Sequence, residues 1–333
     1  MKKRIAINGF GRIGRIAARI ILTDHSDDLE LVAINDPSEA ETTRLLFAFD
    51  SNYGRFPGKV SLEDGGKILK VDDTKIRNFS TRDIADLPWD DLNIDIVLEC
   101  TGVFRTIEKV SPHLNQGAKK VLLSAPAKSE GFTTIVLGVN DDDLTEDVTL
   151  VSNASCTTNC LAPVAKVLND AFGIESGLMT TIHSYTNDQR ILDVGHKDLR
   201  RARAAAINMI PTSTGAAKAV GLVLPQLKGK MTGMSLRVPT PTVSMVDLTV
   251  STKNLVTNAE AVNAVLQKAS EQNPAIIGFE TDSLVSVDFK ADSRSAIVDA
   301  NQTMVMGDLV KVMAWYDNEW GYSHRLVELA KKM

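Results

Sequence analysis

The sequence predicts an α/β protein in two parts: an N-terminal parallel sheet built from strand–helix units, then an α+β domain with a mainly antiparallel sheet. Three observations carry this expectation. The first half alternates short runs rich in Val, Ile and Leu with longer amphipathic stretches, the pattern of strands covered on both faces. The second half holds long strand-like segments with few helices between them, which suits antiparallel pairing. With 333 residues, 44% hydrophobic and 24% charged, the chain is long enough for two domains with cores of their own.

In order along the chain, 4–8, 30–35, 94–99, 120–124 and 133–139 read as strands. Between the first two, Ile13, Ile16, Ala17 and Ile20 recur at helical spacing, so strand, glycine turn, helix and strand form a βαβ unit. A helix is predicted after Cys156, with Leu161, Val164, Leu168 and Phe172 on one face. Strand-like segments follow at 177–182, 235–251, 283–289, Ala296–Asp299 and 309–315. Helical stretches at Ala216–Val223 and Ala259–Gln272 interrupt them, and 322–332 reads as a closing helix. No repeat or Pro/Gly-rich linker marks a boundary, so the change of pattern alone places it near 150–155. The net charge of −5 argues against wholesale nucleic-acid binding. No apolar run approaches the length that spans a membrane. The basic start has no apolar stretch of signal-peptide length before Gly9. Cys100, Cys156 and Cys160 are too few, and odd in number, for a disulfide framework, so a reducing, cytoplasmic setting is expected.

Gly9-Phe10-Gly11-Arg12-Ile13-Gly14 is G-x-G-x-x-G directly after a strand and at the start of a helix, the fingerprint of a Rossmann dinucleotide-binding domain. Gly9 permits the tight turn, Gly11 lets the backbone approach a pyrophosphate, and Gly14 lets the helix pack on the strand. The pyrophosphate would sit at the helix N-terminus, where unpaired N–H groups and the dipole favour an anion. Asp36 ends the second strand, where a carboxylate can accept from the adenosine ribose and repel a 2′-phosphate, favouring NAD. Asp-Pro-Ser is also good turn chemistry, and the two roles are compatible.

Asn153 and Ser155 are good N-cap types, which puts Cys156 at the first helical turn. There the helix dipole is expected to lower a thiol pKa. Three readings compete for Cys156 and Cys160. They could be two small buried cysteines. A metal site would need two further ligands that no Cys or His cluster supplies. A nucleophile needs a base, and His183, at the end of a strand-like segment, is the candidate. The last reading fits a nicotinamide cofactor. A thiolate converts an aldehyde to a thiohemiacetal, hydride can then leave, and a thioester remains. An imidazole would take the hydroxyl proton, and N–H groups at the helix start could hold the oxyanion. Arg200, Arg201 and Arg237, near Pro211-Thr-Ser-Thr-Gly215, could form anion sites. The alternative is a solvated charged run or an Arg-rich oligomer interface.

With these residues in view, the sequence closely resembles the phosphorylating glyceraldehyde-3-phosphate dehydrogenases. The matching segments are 7–15, 152–160, 183–190, 200–206, 211–217, 237–241 and 315–319, within a resemblance running from residue 4 to residue 329. The resemblance implies that Cys156 is the nucleophile and His183 the base. It implies that Arg12, Ile13, Asp36, Arg82, Ser124 and Asn318 contact the cofactor. Thr186, Asp188 and Arg237 would hold the phosphate of glyceraldehyde 3-phosphate. Ser155, Thr157, Arg201, Thr214 and Gly215 would hold the inorganic phosphate that attacks the thioester. It also implies a homotetramer in which 184–208 reaches a neighbour's cofactor site, with no nucleic acid or membrane required. The expected domains are 1–152 joined by the C-terminal helix 319–333, and 153–318. Val194-Gly195 stands where NAD-specific members resemble Leu-Pro, so NAD is expected to be preferred with some use of NADP. Three alternatives remain at this point: an erythrose-4-phosphate dehydrogenase, a semialdehyde dehydrogenase of similar architecture, and a non-catalytic dinucleotide-binding protein.

Overall fold

A computed structural model describes residues 2–333, and the chain divides into two units. The first comprises residues up to 135, 142–154 and 323–333; the second comprises 136–141 and 155–322.

The first unit is built on a nine-stranded sheet. Its strands are β1 (Lys3–Asn8), β2 (Leu29–Asn35), β3 (Val60–Glu63), β4 (Ile68–Val71), β5 (Thr74–Phe79), β6 (Ile96–Glu99), β7 (Lys120–Leu123), β8 (Thr133–Thr134) and β9 (Leu150–Ser152). Their order is β8-β9-β7-β6-β1-β2-β5-β4-β3. The strands from β8 to β5 run parallel, and β4 and β3 fold back antiparallel at the edge. β1 has β2 on one side and β6 on the other, so the order reverses there. Open α/β sheets bind ligands at the carboxyl ends of strands at such a point. Helix α1 (Arg12–Asp24) joins β1 to β2, and α2 (Ala40–Ala48) and α3 (Ile107–Asn115) lie further along. The β1 and β6 residues from Ile5 to Ile7 and Ile96 to Leu98 are buried, as strands covered on both faces require.

The second unit starts with α4 (Cys156–Phe172) and an eight-stranded sheet. Its strands are β10 (Ile174–Ser184), β11 (Ile210–Ser213), β12 (Met231–Val238), β13 (Ser244–Thr252), β14 (Ile277–Glu280), β15 (Ala296–Asp299), β16 (Met304–Met306) and β17 (Leu309–Tyr316). The order is β11-β12-β10-β13-β17-β15-β14, with β16 beside β17. Only β10 with β12 and β14 with β15 pair in parallel; the rest are antiparallel, as expected. Helices α5 (Ala216–Val223) and α6 (Ala259–Gln272) have the expected bounds, and α7 (Trp320–Lys332) closes the chain.

Three expected strands change. The run 235–251 is two strands, because Pro239 and Pro241 cannot donate to a ladder and the chain turns there. Of 133–139 only Thr133–Thr134 pairs. The run 283–289 contains a 3-10 turn at Ser286–Phe289 that buries Phe289 while Val285 and Val287 face solvent.

Candidate functional site

The first candidate region is the turn from β1 into α1. Gly9 has φ +91°, and a Cβ there would lie 2.5 Å from the Thr101 nitrogen. A Cβ on Gly14 would lie 2.1 Å from the Gly9 carbonyl oxygen. Gly11 differs: nothing lies within 4 Å of the place its Cβ would take. Gly11 is also the N-cap of α1, and neither a capping side chain nor an acidic residue occupies that end. A helix start without a capping side chain, beside open space at Gly11, fits a pyrophosphate. These glycines separate two effects. Gly14→Ala is expected to lower the melting temperature and to weaken NAD binding by more than about 1.4 kcal/mol, which is tenfold in Kd. Gly11→Ala is expected to leave the melting temperature unchanged while weakening NAD binding. Calorimetry of both variants checks this; unaltered NAD affinity in Gly11→Ala would refute the role of the open face.

Asp36 is half-buried, its Oδ2 accepting from the Phe10 N–H at 2.9 Å and its Oδ1 from the Ser38 N–H at 3.0 Å. It is thus a turn residue, and each oxygen keeps a lone pair for a ligand hydroxyl. Arg12 forms a bidentate pair with Asp50 and lies 5.8 Å from the centre of the Tyr53 ring. Ile13 is half-buried in the first turn of α1, and Arg82 is exposed. Ser124 follows β7, its N–H donating to the Glu99 carbonyl at 3.0 Å.

A polar network that sequence reasoning missed ties these strand ends together. Asn8 Nδ2 donates to Glu99 Oε2 at 2.6 Å, and Asn35 Nδ2 donates to Asn8 Oδ1 at 2.7 Å. Asn35 also exchanges hydrogen bonds with the Thr81 backbone, which anchors the loop carrying Arg82. Trp89 Nε1 donates to His113 Nδ1 at 2.9 Å, so His113 carries its hydrogen on Nε2 and donates to Glu99 at 3.2 Å. Asn8 is quoted in the fingerprint and Asn35 ends a predicted strand. Their pairing, however, spans elements far apart in sequence.

The second region lies in the other unit. Ser155 caps α4, its Oγ accepting from the Thr158 N–H at 3.0 Å, and Cys156 is the first helical residue. The helix runs out for 17 residues, roughly 25 Å. It turns at Gly173, φ +68°, and β10 returns, so the end of the strand comes back to the start of the helix. The result is Cys156 Sγ 3.5 Å from His183 Nε2. His183 Nδ1 lies 2.7 Å from the Ser184 carbonyl oxygen. Assigning the Nδ1 hydrogen to that carbonyl, which only accepts, leaves Nε2 to accept the thiol proton.

The parallel register of β10 and β12 sets Arg237 beside His183, with Nη1 2.7 Å from Nδ1 and 3.0 Å from the Ser184 carbonyl. A guanidinium cannot accept from the ring, so this contact opposes a charged imidazole. Burial first and Arg237 second hold the His183 pKa down at about 3. The expectation of a lowered Cys156 pKa is corrected. Burial pushes the thiol up, outweighing Arg237, the Thr157 hydroxyl and the N–H groups of Thr157 and Cys156, which all favour the thiolate. The dipole expectation counted only the helix end and not the loss of water around the sulfur. The resting pair is therefore a thiol and a neutral imidazole. Burial lifts Cys100 to about 12 and Cys160 well above the ordinary range, which keeps both protonated at neutral pH.

Of the residues expected to hold phosphate, Ser155 and Thr157 flank Cys156 in the chain and Arg237 touches His183. Arg201 donates from Nε to Thr212 Oγ1 at 2.9 Å and from Nη2 to the Ser213 carbonyl at 3.1 Å, and forms an ion pair with Asp188. Asp188 was expected among the substrate-phosphate residues; a carboxylate cannot donate to phosphate, so any contribution passes through Arg201. Arg237 and, more weakly, Arg201 both act electrostatically on His183. The Arg237 Nε is buried without a hydrogen-bond partner. Thr186 starts a turn closed by the Gln189 N–H. Thr214 Oγ1 accepts from the Ala216 N–H at 3.2 Å, and Gly215 is exposed at the N-cap of α5. The Thr157 hydroxyl is shared with Tyr316 Oη at 2.9 Å. Asn318 Oδ1 accepts from the Ser184 and Ser244 hydroxyls, at 2.9 and 3.0 Å, which leaves its Nδ2 as the donor. Tyr316 also meets Thr181 Oγ1 at 2.8 Å and stands edge-on to His183, 6.1 Å between ring centres. Its place beneath the pair was not foreseen, although it lies in the segment 315–319.

Comparison with known proteins agrees with both regions. A family model described as glyceraldehyde 3-phosphate dehydrogenase, NAD binding domain, matches residues 3–107, and one described as the C-terminal domain matches 155–318. A glyceraldehyde-3-phosphate dehydrogenase of Zymomonas mobilis is 54% identical over 336 residues, covering 100% of this chain and 99% of the relative. One of Xanthobacter flavus is 53% identical, with 100% and 99% covered. One of Pseudomonas aeruginosa is 54% identical, with 99% and 98% covered.

Proposed function

The chain belongs to the glyceraldehyde-3-phosphate dehydrogenase family, and from that membership we propose how its own residues carry out a phosphorylating, NAD-dependent aldehyde oxidation. The reaction converts glyceraldehyde 3-phosphate and inorganic phosphate to 1,3-bisphosphoglycerate. The observation that carries the proposal is the 3.5 Å approach of Cys156 Sγ to the accepting nitrogen of His183.

In this reading the thiol gives its proton to His183 Nε2 as the sulfur bonds to the aldehyde carbon, and His183 then returns that proton to the oxyanion, which completes a thiohemiacetal and leaves the ring neutral again. N–H groups at the start of α4 hold the developing oxyanion. Bound NAD supplies the hydride acceptor. His183 takes the hydroxyl proton as the carbonyl reforms, and Cys156 is left as a thioester. Phosphate oxygen attacks that carbon, the carbon–sulfur bond breaks, and the acyl phosphate leaves. Arg237 and Thr186 would hold the substrate phosphate. Arg201, fixed by Asp188, would hold inorganic phosphate with Ser155, Thr157, Thr214 and Gly215. Gly9, Gly11, Arg12, Ile13, Gly14, Asp36, Arg82, Ser124 and Asn318 would hold the dinucleotide.

We also read the protein as a cytoplasmic homotetramer. Among the described residues no helix is long and apolar enough to cross a membrane. Ile191, Leu192, Val194, Leu199 and Ile207 are each at least 60% exposed in the segment expected to reach a neighbour, which supports a covered surface there. A Cβ on Gly195 would meet nothing within 4 Å, which supports limited NADP use. The test is NADH formation from glyceraldehyde 3-phosphate with and without inorganic phosphate, repeated with NADP. Turnover should require phosphate, with the larger kcat/KM for NAD. Phosphate-independent turnover would exclude the thioester step as drawn, and equal values for the two cofactors would remove the role given to Asp36.

A further inference from the structure

We propose that His25, His324 and Glu328 form a binding site for one divalent transition-metal ion of the zinc class, joining the end of α1 to the C-terminal helix. One ligand atom from each of the three lies within 4.8 Å of the other two. The sequence hides this group, because His25 and His324 are separated by almost the whole chain. His324 and Glu328 stand four residues apart on α7 and therefore on one face. His25 follows Asp24, the last residue of α1, as its C-cap. No basic residue occupies the last turn of α1, so the negative end of its dipole has no cation of its own sequence to offset it.

Two imidazole nitrogens and one carboxylate oxygen suit zinc, cobalt or nickel better than magnesium or calcium, which prefer oxygen ligands throughout. Asp24 Oδ2 lies 3.7 Å from His324 Nε2, a second carboxylate at the margin of the site. Arg325 donates to Glu328 Oε1 at 2.5 Å, which leaves the second carboxylate oxygen for the ion. Lys331, one turn further, is held by Asp28 at 2.5 Å. A tetrahedral zinc site has its donors roughly 3.4 Å apart, from bonds of about 2.1 Å. The three side chains must therefore close by about 1 Å. His25 and Glu328 are only partly buried and can turn to do so. An ion bound only to the folded chain would stabilise it by mass action.

The experiment uses the full chain carrying Cys156→Ser, so that the reactive thiol is not a ligand, freed of metal by a chelator. Zn2+ is titrated by calorimetry and melting temperature, and Co2+ by its absorption spectrum. We expect one equivalent of Zn2+ bound with a raised melting temperature, no response to Mg2+, and a Co2+ spectrum without thiolate charge-transfer bands. His25→Asn and Glu328→Gln, which change partly exposed side chains, should each weaken Zn2+ binding by more than about tenfold. Unchanged affinity in His25→Asn, a thiolate band with Co2+, an equal response to Mg2+, or no saturable binding would each overturn the site.

Discussion

Replacing Cys156 with serine is expected to lower kcat by a factor on the order of 10⁴ or more, while NAD binds with unchanged affinity. The reason lies in the resting state of the pair. Sγ is a thiol pushed up by burial, facing an imidazole whose second nitrogen is committed to the Ser184 carbonyl. Sulfur still ionises within reach of that base, because the helix-start N–H groups, the Thr157 hydroxyl and Arg237 all favour the thiolate. A serine hydroxyl in the same place starts from a far higher pKa and is a much poorer nucleophile and leaving group. The glycine turn that fits NAD belongs to the other unit and is untouched. Single-turnover absorbance at the NADH band, with NAD affinity by calorimetry, measures both. Retained turnover in the serine variant would end the covalent mechanism.

What the sequence disclosed depended on how local each cause was. The glycine pattern lies within one βαβ unit and the start of α4 is set by the Ser155 cap, so both were readable, although the Thr101 backbone that crowds Gly9 was not. The antiparallel edge β3–β4–β5 was missed although Asp64-Gly65-Gly66 and Asp72-Asp73 are hairpin turn residues, because those strands are short and half polar. Glu99 and His113 are both fully buried, and nothing along the chain announced their pairing, since their partners come from β1 and the Trp89 loop. The direction of the Cys156 pKa failed for a related reason. The helix dipole is visible in sequence, whereas the burial that outweighs it is assembled from β10, β12 and β17. Pairing Cys156 with His183 needed only the out-and-back path of α4 and β10. The Arg237 contact needed the parallel register of β10 on β12, which nothing in the local pattern announced.

His183→Asn is expected to slow both turnover and alkylation of Cys156 at neutral pH, by about 10² to 10⁴ for turnover, because asparagine cannot take the thiol proton. An unchanged alkylation rate would remove the activating role. The same variant tests the electrostatics through stability. The folded pKa of His183 is held at about 3, and an unfolded histidine titrates near 6.5. As pH falls below 6.5 the unfolded chain takes up a proton that the folded chain refuses, so stability is lost progressively between about 6.5 and about 3. Above 6.5 both states are neutral and the term vanishes. The full loss is on the order of a few kcal/mol. Asparagine does not titrate. The variant starts less stable at neutral pH, since it loses the ring's contacts with Ser184 and Tyr316, but it should lose less on acidification. The difference in melting temperature between the two proteins should therefore narrow from pH 7 to pH 4. A constant difference would mean that His183 becomes charged in the folded state, and that Arg237 does not oppose its protonation as the 2.7 Å contact requires.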